Sequence, residues 1–133
     1  MSGVRLRLKT PPQERLDFSS LLPHLLCSQS PEKIADQSFA TGKIGDFFEI
    51  STNGNSDTLV LIDTTQNCDF IGKNLETGNL IVEGHVGAYA AQHMKGGRLD
   101  IKGTAGDWFG AGMKGGVATI TSSAGNFIGG VLA

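Results

Sequence analysis

The stretch GRLDIKGTAGDWFGAGMKG, residues 97–115, decides how this chain is read. Within it, Leu99 and Ile101 alternate with Asp100 and Lys102, the period-two pattern of a half-buried strand. The same unit stands on either side of it. GNLIVEGHVGAYAAQHMKG (78–96) precedes it and GVATITSSAGNFIGGVLA (116–133) comes after, so three segments share a period of 19 residues. Gly78, Gly97 and Gly116 fall at the first position, and Gly87, Gly106 and Gly125 at the tenth. Tyr89, Trp108 and Phe127 share the twelfth, and Met94, Met113 and Leu132 the seventeenth. The segment before residue 78 fits with an insertion of two residues. Leu59 and Leu61 then match Leu80 and Val82, and Phe70 matches Tyr89.

The repeat explains the glycine content. Of 19 glycines, 14 lie between residues 78 and 130. Glycine is entropically costly to fix, so dense usage marks places where the backbone requires it. A strand, tight corners and a second apolar stretch in one short unit predict a mainly β chain. The expected form is a parallel β-helix of about four to five coils. Three inward columns are expected: Leu59, Leu80, Leu99 and Ala118; Leu61, Val82, Ile101 and Ile120; and an aromatic column of Phe70, Tyr89, Trp108 and Phe127, with Trp108 buried.

One fragment suggests different chemistry. Gly110-Ala111-Gly112-Met113-Lys114-Gly115 satisfies G-x-G-x-x-G, the loop that cradles a pyrophosphate at a helix N-terminus. The residues after it are the β-branched VATITSSAG, which does not start a helix, and the preceding unit lacks the first two glycines. The glycines therefore serve the repeat, and no nucleotide site is expected. No Asp recurs after a glycine pair as calcium-binding nonapeptides require. His24, His85 and His93 lack metal-ligand spacing and are expected at the surface or at corners. Asp69, Asp107 and Asn126 share the eleventh position, where Asp and Asn bond their own turn. Lys95 and Lys114 form a solvated stripe. Spacing assigns no catalytic, cofactor-binding or metal residue, and no cofactor.

Composition narrows the partners. The chain has 133 residues, a net charge of -2 and 18% charged residues, so a basic footprint for nucleic acid is missing. Cys27 and Cys68 stand far apart, as in a reduced cytoplasmic protein. Neither a signal-peptide core nor a membrane-spanning stretch is expected. Residues 1–45 do not share the repeat and are read as an N-terminal cap, with 46–133 as the repeat domain. Within the cap, VRLRL (4–8) predicts a strand with Val4, Leu6 and Leu8 inward, and FSSLLPHLL a short helical turn. In SPEKIADQ, Ser30 is the expected N-cap and Pro31 the first helical residue. TGKIGDFFEIS is expected to enter the first coil.

These residues carry a resemblance. IGDFFEIS, then TLVLIDTTQNCDFIGKNLETGNLIVEGHVGAYAAQHMKGGRLDIKGTAGDWFGAGMKGG, resembles the C subunit of formylmethanofuran dehydrogenase and of the bacterial formyltransferase/hydrolase complex. The wider superfamily includes the glycine-repeat domain of glutamate synthase. The resemblance implies that the parallel β-helix is right-handed and that the chain is a non-catalytic structural subunit in one-carbon metabolism. It places the formyl chemistry, the molybdenum or tungsten pterin and the iron–sulfur clusters in other subunits of the complex, which are the implied partners. Two alternatives remain: a free-standing interaction module or homo-oligomer, and a bracing domain like that of glutamate synthase. Relatives of this kind continue for further coils, whereas this chain stops at GNFIGGVLA. Its open last coil is expected to self-associate through residues 116–133.

Overall fold

The computed structural model describes residues 3–121, and they form a mainly β structure. Strand β1 (Gly3–Leu8) leads to a two-residue β2 (Leu16–Asp17) and two short helices, α1 (Pro23–Leu26) and α2 (Pro31–Ala35). A small hairpin, β3 (Ser38–Phe39) and β4 (Gly42–Lys43), precedes α3 (Ile44–Phe47) and β5 (Phe48–Asn53). The repeats supply β6 (Thr58–Ile62), β7 (Cys68–Asp69), β8 (Asn79–Glu83), β9 (Arg98–Ile101) and β10 (Val117–Ile120). The main sheet is mixed and runs β10-β9-β8-β6-β1-β5.

Its repeat strands pair in parallel with the register the columns require. Leu80 lies against Leu99 and Val82 against Ile101. Leu99 lies against Ala118 and Ile101 against Ile120. Leu59 and Leu61 lie against Leu80 and Val82. Leu59, Leu61, Leu80, Val82, Leu99, Ile101 and Ala118 are all fully buried, so alternation identified the inner face correctly. The two-residue insertion lies between β6 and β7. Residues there include Thr64, which is buried and whose hydroxyl has no hydrogen-bond partner among the described residues.

Beyond each strand, successive repeats bond through irregular backbone. Phe70 and Tyr89 N–H donate forward to the carbonyls of Ala88 and Asp107, at 3.0 and 2.9 Å. Ala91 and Gly110 N–H donate backward to Ile71 and Ala90, both at 2.8 Å. The chain reaches both neighbours because it turns left-handed at alternate residues. Phe70, Gly72 and Asn74 do so in one repeat, Tyr89, Ala91 and His93 in the next, and Trp108, Gly110 and Gly112 in the third. Left-handed backbone costs a non-glycine residue about 1–2 kcal/mol, which the inter-repeat bonds offset.

The N-terminal segment continues this stacking downward. β1 pairs in parallel with β6, Val4 against Leu59 and Leu6 against Leu61. β2 pairs in parallel with β7, Leu16 against Cys68. Val4, Leu6 and Leu8 point inward while Arg5 and Arg7 are exposed. α1 begins at Pro23. α2 is capped by the Ser30 hydroxyl, which accepts from Lys33 N–H at 3.3 Å. Phe18, Phe39, Phe47 and Phe48 close the end of the core in edge-to-face contacts, for example 5.3 Å between Phe18 and Phe39. Residues 42–53 do not lead directly into a repeat. They form α3 and then β5, which runs antiparallel to β1 with Leu6 opposite Ile50.

The aromatic column is the main correction. Phe70, Tyr89 and Trp108 do stack one above another, but on the outside, and Trp108 is 40% exposed. The inward residue is the next one along: Ile71, Ala90 and Phe109 are buried in the core. The left-handed turn at each aromatic, φ between 59 and 62°, directs its ring outward and its successor inward. The fourth expected member, Phe127, lies outside the described residues.

Candidate interaction surface

An outer aromatic ladder is the most distinctive surface among the described residues. Phe70 and Tyr89 have ring centroids 5.5 Å apart and planes 13° from parallel; for Tyr89 and Trp108 the values are 6.1 Å and 5°. Lys73 Nζ sits 5.0 Å from the Phe70 centroid and extends the ladder with a cation–π contact. Phe70 and Tyr89 are half-buried and Trp108 is exposed, so the ladder forms a narrow aromatic ridge with the Tyr89 side chain at its middle. Aromatic residues that reach the surface are frequent anchors for protein partners.

Comparison with known proteins points to assemblies of several subunits. No family model matches the chain. It is 36% identical over 91 residues to the C subunit of the formyltransferase/hydrolase complex of Methylorubrum extorquens, covering 65% of this chain and 33% of that protein. It is 32% identical over 97 residues to the C subunit of tungsten-containing formylmethanofuran dehydrogenase 2 of Methanothermobacter marburgensis, covering 67% of this chain and 36% of that protein. Among solved structures, a chain of the M. extorquens formyltransferase/hydrolase complex, determined with methylofuran, superposes with a TM-score of 0.82. Identity there is 33%, over 91% of this chain and 47% of that one. The chain is a relative of these C subunits. It spans about a third of the length of the curated proteins it matches.

In this C-subunit relative, the polar residues whose types suggest chemistry hold repeats together instead. Asp69 was expected to bond its own turn. Its carboxylate accepts two bonds from Arg15, at 2.7 and 2.8 Å, and one from Ala88 N–H of the next repeat at 2.8 Å. It is buried, so the pair ties the N-terminal segment to the first two repeats. The partner lies 54 residues away, which local turn chemistry does not reveal. Asp107, at the equivalent position, is exposed.

His85 Nδ1 accepts from Thr104 N–H at 3.1 Å and lies 2.8 Å from the Thr104 hydroxyl, which joins two successive repeats. His24 and His93 are exposed. Asp100 accepts from Arg98 at 2.9 Å and from Thr119 at 2.5 Å. Burial pushes its pKa upward, but the hydrogen bonds from Thr119 and Arg98 outweigh burial and hold it below the ordinary carboxylate value. Lys95 and Lys114 are exposed, and Lys95 meets Glu76 at 3.5 Å.

Cys27 and Cys68 are free and buried, and burial pushes both thiols upward, away from the reactive thiolate. Residues 110–116 form a turn running into β10 rather than a helix start. Among the described residues, no three His, Cys, Asp or Glu side chains gather as metal ligands, and no helix is long and apolar enough to cross a membrane.

Proposed function

We propose that the chain acts as a non-catalytic structural subunit of a formyl-transferring complex of the formyltransferase/hydrolase or formylmethanofuran dehydrogenase kind. The observation that carries this reading is the superposition on a chain of the M. extorquens complex over 91% of the residues. The side chains support it. The Asp69, Asp100 and His85 groups bond neighbouring repeats, and the aromatic ladder offers a rigid ridge for another subunit.

We further read the repeats as coils of a right-handed parallel β-helix. The parallel registers and the bonds running forward and backward between repeats support that reading. Residues 1–45 act as its cap and 46–133 as its body, in a cytoplasmic protein without catalytic, cofactor or metal residues of its own. The self-association expected of residues 116–133 falls mostly on residues 122–133, which lie outside the described residues.

The test is affinity capture of the tagged chain from its native host, with mass spectrometry of what it retains. Formyltransferase and hydrolase subunits are expected, and their recovery should fall when Tyr89 and Trp108 are both replaced by Ser. Capture that yields no such subunit, or formyl-transfer turnover by the purified chain alone, overturns the proposal.

A further inference from the structure

The outer edge of β5 has a hydrogen-bond pattern complementary to itself. Lys9 N–H donates to Phe47 C=O at 2.9 Å, one pair beyond Leu8 opposite Phe48. Bonded and non-bonded pairs alternate in an antiparallel ladder. Phe47, Glu49, Ser51 and Asn53 therefore bond towards β1, and the backbones of Phe48, Ile50 and Thr52 point away from it. Among the described residues, β5 ends the sheet and no strand pairs with that edge. Phe48 N–H is already bonded to Ile44 C=O. Five groups are left facing outward: Phe48 C=O, both groups of Ile50 and both of Thr52. Ser51 and Thr52 are exposed, and β5 contains no Pro or Lys, the residues that commonly blunt such an edge.

We infer that β5 pairs antiparallel with β5 of a second copy of this chain, about a two-fold axis at Ile50. In that register the two Ile50 residues exchange both backbone bonds. Each Thr52 N–H donates to the opposite Phe48 C=O. The already bonded Phe48 N–H is not needed, and only Thr52 C=O is left for solvent.

Charge selects this register over its neighbour. On the outer sheet face Arg7 lies beside Glu49 and Arg5 beside Ser51. Pairing at Ile50 brings Glu49 opposite Ser51 of the other copy. The row across the join then reads Arg7, Glu49, Ser51, Arg5, with each carboxylate between two guanidinium groups of different chains. A shift to Ser51 opposite Ser51 would place the two Arg5 residues in one row with no acid between them. The inference is independent of the complex proposed above and of the C-terminal residues.

Sedimentation of the full chain should give a dimer at micromolar concentration. Thr52→Pro removes an outward donor without touching the ladder to β1, and should convert the dimer to a monomer with unchanged far-UV circular dichroism. Glu49→Lys should do the same through charge, which keeps the test decisive if the proline variant fails to fold. Register is read by cross-linking. Glu49 opposite Ser51 is a non-hydrogen-bonded pair, the closer of the two kinds and the better suited to a disulfide. A mixture of Glu49→Cys and Ser51→Cys chains should therefore cross-link on oxidation, while neither does so alone. A monomer at every concentration, a dimer indifferent to both Thr52→Pro and Glu49→Lys, or cross-linking by Ser51→Cys alone overturns the inference.

Discussion

Gly103→Ala probes the stacking of repeats at a point where two backbones approach closely. A Cβ added at Gly103 would lie 2.3 Å from the carbonyl oxygen of Gly84 and 2.8 Å from its carbon. Both atoms belong to the backbone of the preceding repeat, so no side chain can swing aside. Restoring ordinary contact requires the repeats to part locally by nearly an ångström, against a strand spacing of about 4.8 Å. The bond from Lys102 N–H to Val82 C=O, 2.8 Å long, lies next to the clash and would stretch with it.

Overpacking of this kind costs about 1–3 kcal/mol, and a weakened backbone bond adds about 1 kcal/mol. A loss of about 3 kcal/mol is expected, and with a urea m-value of about 1–3 kcal/mol/M the midpoint should fall by about 1–3 M. Gly54→Ala is the control, because nothing lies within 4 Å of a Cβ there. It should change stability by no more than about 0.5 kcal/mol. Urea unfolding followed by circular dichroism distinguishes them. A Gly103→Ala midpoint equal to that of Gly54→Ala would refute the inter-repeat geometry.

Three further outcomes rest on particular contacts. The single tryptophan, Trp108, should be quenched by acrylamide in the folded protein, whereas Phe109→Ala should destabilise by about 3–5 kcal/mol as a buried aromatic truncation; an unquenched indole would reverse the inside–outside assignment. Arg15→Ala strands the buried Asp69 carboxylate, but Arg15 is 57% exposed, so the solvent-screened loss is expected near 1–2 kcal/mol rather than the roughly 3–5 of a fully buried pair. A double-mutant cycle with Asp69→Asn reads the coupling. Asp100 is held below its unfolded value, so its stabilising contribution is present above the unfolded pKa and disappears as pH falls through the folded one. Asp100→Asn should flatten the acid limb of the stability–pH curve, and an unchanged limb would remove Asp100 from the account.

Strand positions were legible because alternation and the repeat agree. Leu80, Val82, Leu99 and Ile101 stand two apart within strands and 19 apart between them, and all four are buried. The aromatic column was misplaced because positions twelve and thirteen are both apolar: Phe70–Ile71, Tyr89–Ala90 and Trp108–Phe109. Only the left-handed φ at the first member decides which ring faces out, and three non-glycine residues do not announce that conformation. The antiparallel course of β5 was hidden for a related reason, since alternation carries no strand direction. The Arg15–Asp69 pair was hidden by distance along the chain, and its role emerges only when β2 lies on β7.

The backward and forward bonds at the left-handed turns mean that no repeat is complete alone. Each finds partners for its backbone on the repeats before and after it. The aromatic cluster of Phe18, Phe39, Phe47 and Phe48, with β1 and β5 paired antiparallel, is the assembly whose contacts lie within the first 53 residues. It also leaves the ribosome before the repeats do. The chain is thus arranged to fold in the direction of its synthesis, each emerging repeat crystallising onto a finished surface. Removing β1 should therefore abolish folding of everything after it, whereas ending the chain after residue 115 should leave the earlier repeats protected from amide exchange. Equal sensitivity to the two deletions would deny that direction.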